Sequence, residues 1–154
     1  MLLAMSKRER ISDFVRSLES AENDYYTAFF RLWNERRYYE AHDVLEQLWL
    51  AEEDKELARF YQALIQAAGA FVHLQKNFDH PLHAKHSRRL RPASRLFALA
   101  LRNLQHLPDE FRALNLTNFR QTLAHYRDQI SSSGFERNPW TPENAPQVSL
   151  SLCD

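Results

Sequence analysis

The chain has 154 residues with 20 basic and 20 acidic side chains, two glycines and a single cysteine. A domain of that length buries roughly 68–70% of its unfolded-chain surface, so a core needs no disulfide or metal staple. The lone Cys153 excludes a disulfide framework and a cysteine-based zinc site, and it favours a reducing, cytoplasmic compartment. Scarce glycine together with abundant Leu, Ala, Glu, Arg and Gln predicts an all-α single-domain bundle of about five to six helices. No apolar run reaches the ~18 residues of a membrane span. The charges at Lys7, Arg8, Glu9 and Arg10 stand where an export signal would continue its apolar stretch.

In chain order, Ile11, Phe14, Val15 and Leu18 predict a helix over 6–20, within an N-terminal extension spanning 1–20. A helix over 23–33 follows, its stripe of Tyr26, Phe29, Phe30 and Trp33 turned to the core, and Asn34 stops it. The stretch Tyr38 to Trp49 reads as a further helix that sets Tyr39, His42, Glu46 and Trp49 on one face with Asp43 on its flank. A long helix over 53–76 then carries Phe60, Leu64, Ala67 and Phe71 inward, with Gln62, Gln66, Gly69 and His73 in a polar line beside them. Small residues at 67–70 allow a neighbouring helix to come close. The next helix is expected over 82–106, with Pro81 in its first turn and Pro92 kinking or dividing it. Thr117 is expected to cap a last helix reaching Ile130, which closes a bundle domain over 21–132. The segment 133–154 holds three prolines and no helical period, so it is expected to be extended or disordered, with Trp140 and Val148 able to pin it.

Charge is unevenly spread. Residues 35–57 hold eight acids and three bases, whereas 80–108 hold six bases and no acid. The simplest expectation is that the two blocks lie together and cancel. The basic segment 85–102 is also the one candidate for an anionic partner, but it lacks interleaved aromatics, which argues against nucleic-acid recognition.

His42 and Glu46, spaced i, i+4, are able to hold one ion or share a proton. If the 38–49 and 53–76 helices pack antiparallel, Gln66 and His73 meet them. His42, Glu46 and His73 then form a two-histidine, one-carboxylate site for a divalent metal ion, with Asp43 hydrogen-bonding a ligating histidine. The same residues also make a metal-free polar network or a ligand floor, with Trp49 on its dry side. His80, His83 and His86 offer a second histidine cluster. No serine elbow, usable cysteine or phosphate-binding glycine loop is present.

Trp33-Asn34, the run Tyr38-Tyr39-Glu40-Ala41-His42-Asp43-Val44-Leu45-Glu46-Gln47-Leu48-Trp49, and the run from Ala63-Leu64-Ile65-Gln66 to His73 and Asn77 resemble the family called domain of unknown function three hundred and nine. The resemblance covers residues 26–107. It implies a small all-helical bundle, found mostly in bacteria and archaea, with no known activity. It puts the family's polar signature on Glu40, His42, Asp43, Glu46, Trp49, Gln66, His73 and Asn77. Three positions depart from the family pattern. Trp33 replaces Phe, Lys76 replaces Gly, and Asp43 replaces Glu, a shortening by one methylene that argues against Asp43 as a direct ligand. Two functions are expected: a non-catalytic module binding a small ligand or protein partner, or a metal-dependent hydrolase using His42, Glu46 and His73.

Overall fold

The structure, a computed structural model, describes residues 6–11 and 25–151. Its helices are α1 (Tyr25–Asn34), α2 (Tyr38–Ala51), α3 (Lys55–Asp79), α4 (Leu90–Leu104) and α5 (Leu116–Ser132), with a short 3-10 turn at His86–Arg88. The expected all-α bundle is what forms, apart from a two-stranded hairpin before α5. Of the helix expected over 6–20, residues 7–11 are helical, and Phe14, Val15 and Leu18 lie outside the described residues. Ser6 starts that turn with a reciprocal capping box: Glu9 N–H donates to Ser6 Oγ, and Ser6 N–H donates to Glu9 Oε2.

α3 is the central helix. It packs on α2 and on α4, and no residue from Phe60 to Asn77 is fully exposed. Phe71 sits at the middle of the core, its ring 4.9 Å from Trp33, 5.3 Å from Tyr38, 5.2 Å from Phe97 and 5.0 Å from Tyr126. One side chain thus touches rings from α1, α2, α4 and α5. The predicted stripe of α1 is confirmed, with Tyr26, Phe29, Phe30 and Trp33 all buried. Gly69 provides the expected close approach: a Cβ there would lie 3.3 Å from Leu96 Cδ1 on α4.

Two helix boundaries differ from expectation, and one hairpin is added. α4 begins at Leu90 rather than near 82, because Pro81 and Leu82 form an exposed turn. Pro92 consequently falls in the first turn of α4, where its missing N–H has no intrahelical partner to lose, and it neither kinks nor divides the helix. Asn115, not Thr117, caps α5, its side chain accepting from Asn118 N–H. The hairpin pairs Glu110 with Asn115 and Phe111 with Leu114 through a two-residue turn, Arg112 (φ 48°) and Ala113 (φ 64°). Both turn residues are left-handed, where Asn-Gly is the usual pair. The turn is held from outside: Tyr26 donates to the Arg112 carbonyl at 2.8 Å, and the Arg112 guanidinium lies 4.9 Å from the Tyr26 ring centre.

Beyond Gly134 (φ 68°) the chain is extended, as expected, and it is packed. Residues 135–151 run back over the bundle as a strap. Trp140 is fully buried and donates to the Tyr38 hydroxyl at 3.1 Å. Burial raises the Tyr38 pKa to about 12, so this phenol stays protonated. Trp33 Nε1 donates to the Pro146 carbonyl. Asn34, expected only to stop α1, clamps the strap: its Nδ2 donates to the Val148 carbonyl and its Oδ1 accepts from Val148 N–H, both at 2.7 Å. The left-handed residue of that turn is Arg36 (φ 61°).

Phe71→Ala and Trp140→Ala should each lower unfolding free energy in urea by about 3–5 kcal/mol, the range for emptying a large buried aromatic site. If Trp140→Ala matches wild type, the strap is not part of the cooperative core.

Candidate functional site

α2 has two faces of different chemistry. Tyr38, Ala41, Val44 and Leu45 are buried, at the spacing of a helix packed on one side. The opposite face carries Tyr39, His42, Asp43, Glu46, Trp49 and Leu50. Tyr39 is 60% exposed, Trp49 36% and Leu50 65%, which is unusual exposure for such residues on one three-turn face. Between them lie three half-buried polar side chains. His42 Nδ1 is 3.2 Å from Asp43 Oδ1 and 3.7 Å from Glu46 Oε2, and Lys7 of the N-terminal turn brings its ammonium within 3.4 Å of Asp43. One ligand atom from each of His42, Asp43 and Glu46 falls within 4.8 Å of the others, the one such group of His, Cys, Asp and Glu among the described residues.

His73 is not in that group. The polar line of α3 faces α4: Gln66 Oε1 accepts from Asn103 Nδ2 at 2.9 Å, Gly69 meets Leu96, and His73 Nδ1 accepts from Arg89 Nη1 at 2.9 Å. These pairs step along the two helices in opposite directions, as neighbours in an antiparallel seam must. α2 meets α3 elsewhere, through Tyr38 on Phe71 and through Gln75, which donates to the Arg36 carbonyl. The expected set of His42, Glu46 and His73 is therefore not brought together: His73 pairs with Arg89, and Asp43 stands beside His42 and Glu46 instead. Asp43 makes the hydrogen bond expected of it, to His42. Trp49 lines no dry wall, since its ring is on the open face.

The remaining signature residues have structural partners. Glu40 sits in the first turn of α2, where the macrodipole favours a carboxylate, 3.8 Å from Arg37. Asn77 is buried at a junction that joins three segments: it donates to the His86 carbonyl and accepts from Asn138 of the strap, which also donates to the Leu74 carbonyl. Sequence reasoning did not find Asn138, whose segment has no periodicity to mark it.

Two members of the second histidine cluster, His83 and His86, accept hydrogen bonds at Nδ1. His83 Nδ1 accepts from the backbone N–H groups of Lys85 and His86, and His86 Nδ1 accepts from Arg89 Nε at 2.7 Å. Arg89 thereby joins two imidazoles that must each be neutral at Nδ1. Burial, reinforced by the charges of Arg89 and Lys76, lowers the His73 pKa from 6.5 to about 4. His86 is also held below its ordinary value, by loss of hydration and then by Arg89 and the neighbouring histidines and Lys76.

Because the folded pKa of His73 is the lower one, the unfolded chain binds more protons between pH 6.5 and about 4. The contribution is complete above that window and is lost as pH falls through it. Urea midpoints should therefore drop between pH 7 and pH 5, and His73→Gln, whose amide oxygen still accepts from Arg89, should show a shallower drop. Parallel pH profiles for the two proteins would remove His73 as the cause.

Residues 26–82 match the model of a family described as Domain of unknown function (DUF309), which takes in α1, α2 and α3 and ends before α4. A curated relative, an uncharacterized protein of Aquifex aeolicus (strain VF5), is 30% identical over 91 residues, covering 59% of this chain and 24% of that protein. The chain thus spans about a quarter of the length of the curated relative it matches. No solved structure matches it. No helix among the described residues is long and apolar enough to cross a membrane. Across α1, α2 and α3, the second of which carries His42, Asp43 and Glu46, the chain resembles the DUF309 family, for which no activity is established.

Proposed function

We propose that this chain is a binding module, centred on the bundle over 21–132, that takes a positively charged group on the outer face of α2. The observation that carries this reading is the convergence of His42, Asp43 and Glu46 with the Lys7 ammonium 3.4 Å from Asp43. Lys7 supplies an intramolecular example of the chemistry that the face accepts. Tyr39 and Trp49 flank the carboxylates, and aromatic faces attract ammonium and guanidinium groups. The partner that fits is a lysine- or arginine-bearing segment of another protein. The relative in which the matched region makes up 24% of the chain supports a module joined to other parts. A cytoplasmic location accords with the single cysteine.

One observation favours a second reading. Two carboxylates and an imidazole are a donor set for zinc, iron or manganese, and their spacing suits a single ion. In that reading the ion displaces Lys7, and His42, Asp43 and Glu46 hold it on one helix with the remaining positions open to water. Hydrolysis would then require further groups to bind and orient a substrate. His73 and Gln66 are held on the α4 side and do not supply them.

Trp49, three residues from Glu46, gives both readings one readout. A lysine-rich peptide should change Trp49 fluorescence and bind in calorimetry, and the double variant Asp43→Asn, Glu46→Gln should weaken binding at least tenfold, about 1.4 kcal/mol. If zinc or manganese binds at one equivalent, is lost in the same variant and excludes the peptide, the metal reading replaces the peptide one. If the variant binds both as wild type does, neither reading holds.

A further inference from the structure

The two charge blocks do not cancel. Acidic α2 packs on α1 and α3, whereas basic α4 packs on α3 and α5. Among the described residues no salt bridge joins residues 35–57 to residues 80–108. Arg88, Arg91, Arg95 and Arg102 are all exposed, and their spacing sets them along one side of α4 and the turn that leads into it. Arg91 lies 4.3 Å over the Phe135 ring, and no carboxylate is paired with any of the four among the described residues.

This arrangement works against the helix that carries it. Arg88 and Arg91 stand at the N-terminal end of α4, where the macrodipole disfavours cations, and its first turn contains no acid to offset them. Arg91 and Arg95 are like charges at i, i+4, which also destabilises. A local choice that opposes stability at Arg88, Arg91 and Arg95, and that is offset within the chain only by the contact of Arg91 with Phe135, marks a surface kept for a partner.

We infer that this arginine side of α4 is a binding surface for the phosphate backbone of nucleic acid, independent of base sequence. Over 14 residues at 1.5 Å each the row extends about 21 Å, enough to meet several phosphates of a duplex whose charges recur about every 1.7 Å of axis. Guanidinium groups pair with phosphate oxygens in a bidentate manner. The absence of exposed aromatics on α4 removes base stacking, since Phe97 is fully buried, and leaves backbone contacts intact. A membrane surface fits less well, because no large apolar side chain of α4 is exposed and Leu82 of the preceding turn is a single apolar side chain beside the row. An acidic protein fits less well too, because the row offers no apolar or aromatic anchor of the kind that dominates protein interfaces.

The test is fluorescence anisotropy of the full chain with a labelled mixed-sequence DNA duplex and its RNA counterpart, across about 50–200 mM salt. Anionic phospholipid vesicles and a polyglutamate peptide serve as parallel probes. The variant Arg88→Gln, Arg95→Gln, Arg102→Gln leaves Arg91 on Phe135, so the strap contact is kept. Wild type should bind a nucleic acid with a log–log salt slope steeper than about 2.7, the share of three phosphate contacts at 0.9 each, and the variant should lose about that much of the slope. The variant should also melt close to wild type at low salt, because Arg88 and Arg95 oppose the helix whereas Arg102, in its last turn, favours it. Failure of wild type to bind either nucleic acid at the low-salt limit overturns the inference. So does an unchanged slope in the variant, or tighter binding to vesicles or polyglutamate than to nucleic acid.

Discussion

Phe71 is the contact on which the rest of this fold depends. It lies midway along the one helix with no fully exposed residue between Phe60 and Asn77, and its ring touches aromatic rings from four other helices. Edge-on and stacked pairs of this kind each add to simple burial and fix mutual orientation. Because Trp33 and Tyr38 both rest on Phe71, the angle between α1 and α2 is set from inside. The outer face of α2, with His42, Asp43 and Glu46, inherits that rigidity. The same ring meets Phe97, which turns the opposite side of α4 and its arginines to solvent.

The molecule therefore carries opposite charge on two helices that share a central partner, and no salt bridge among the described residues joins the two charge blocks. Zero net charge conceals this, since it sums over both. One face accepts an ammonium from its own chain, at Lys7 and Asp43. The other leaves guanidinium groups without carboxylates among the described residues. A small helical bundle can in this way present two surfaces of opposite charge.

Most of the helices were legible in the sequence, because periodic apolar residues state which side of a helix is buried. Tyr26, Phe29, Phe30 and Trp33 are the clearest case, and the inner residues of α3 are another. What periodicity does not state is which neighbour a side meets. Gln66 and His73 were correctly placed in one line, but that line packs against α4 and not α2, so Asp43 and not His73 stands beside His42 and Glu46. The hairpin was hidden because Arg112 and Ala113 lack the glycine and asparagine that normally announce a left-handed turn. The strap was legible only through Trp140 and Val148, since an extended segment held by Asn34 and Asn138 has no period at all.

The strap also bears on how the chain reaches its fold. Contacts among α1, α2 and α3 join segments close in sequence and can form early, but Trp33 with Pro146, Asn34 with Val148 and Tyr38 with Trp140 join residues 113, 114 and 102 positions apart. Closing loops of that length carries an entropic cost that is met only after the helices between them have docked. During synthesis, Trp33 and Tyr38 must therefore wait for residues 140–148 to emerge before their side of the core is covered. Until then the first helical hairpin presents bare aromatic surface, which makes the newly made chain prone to sticking before the strap docks.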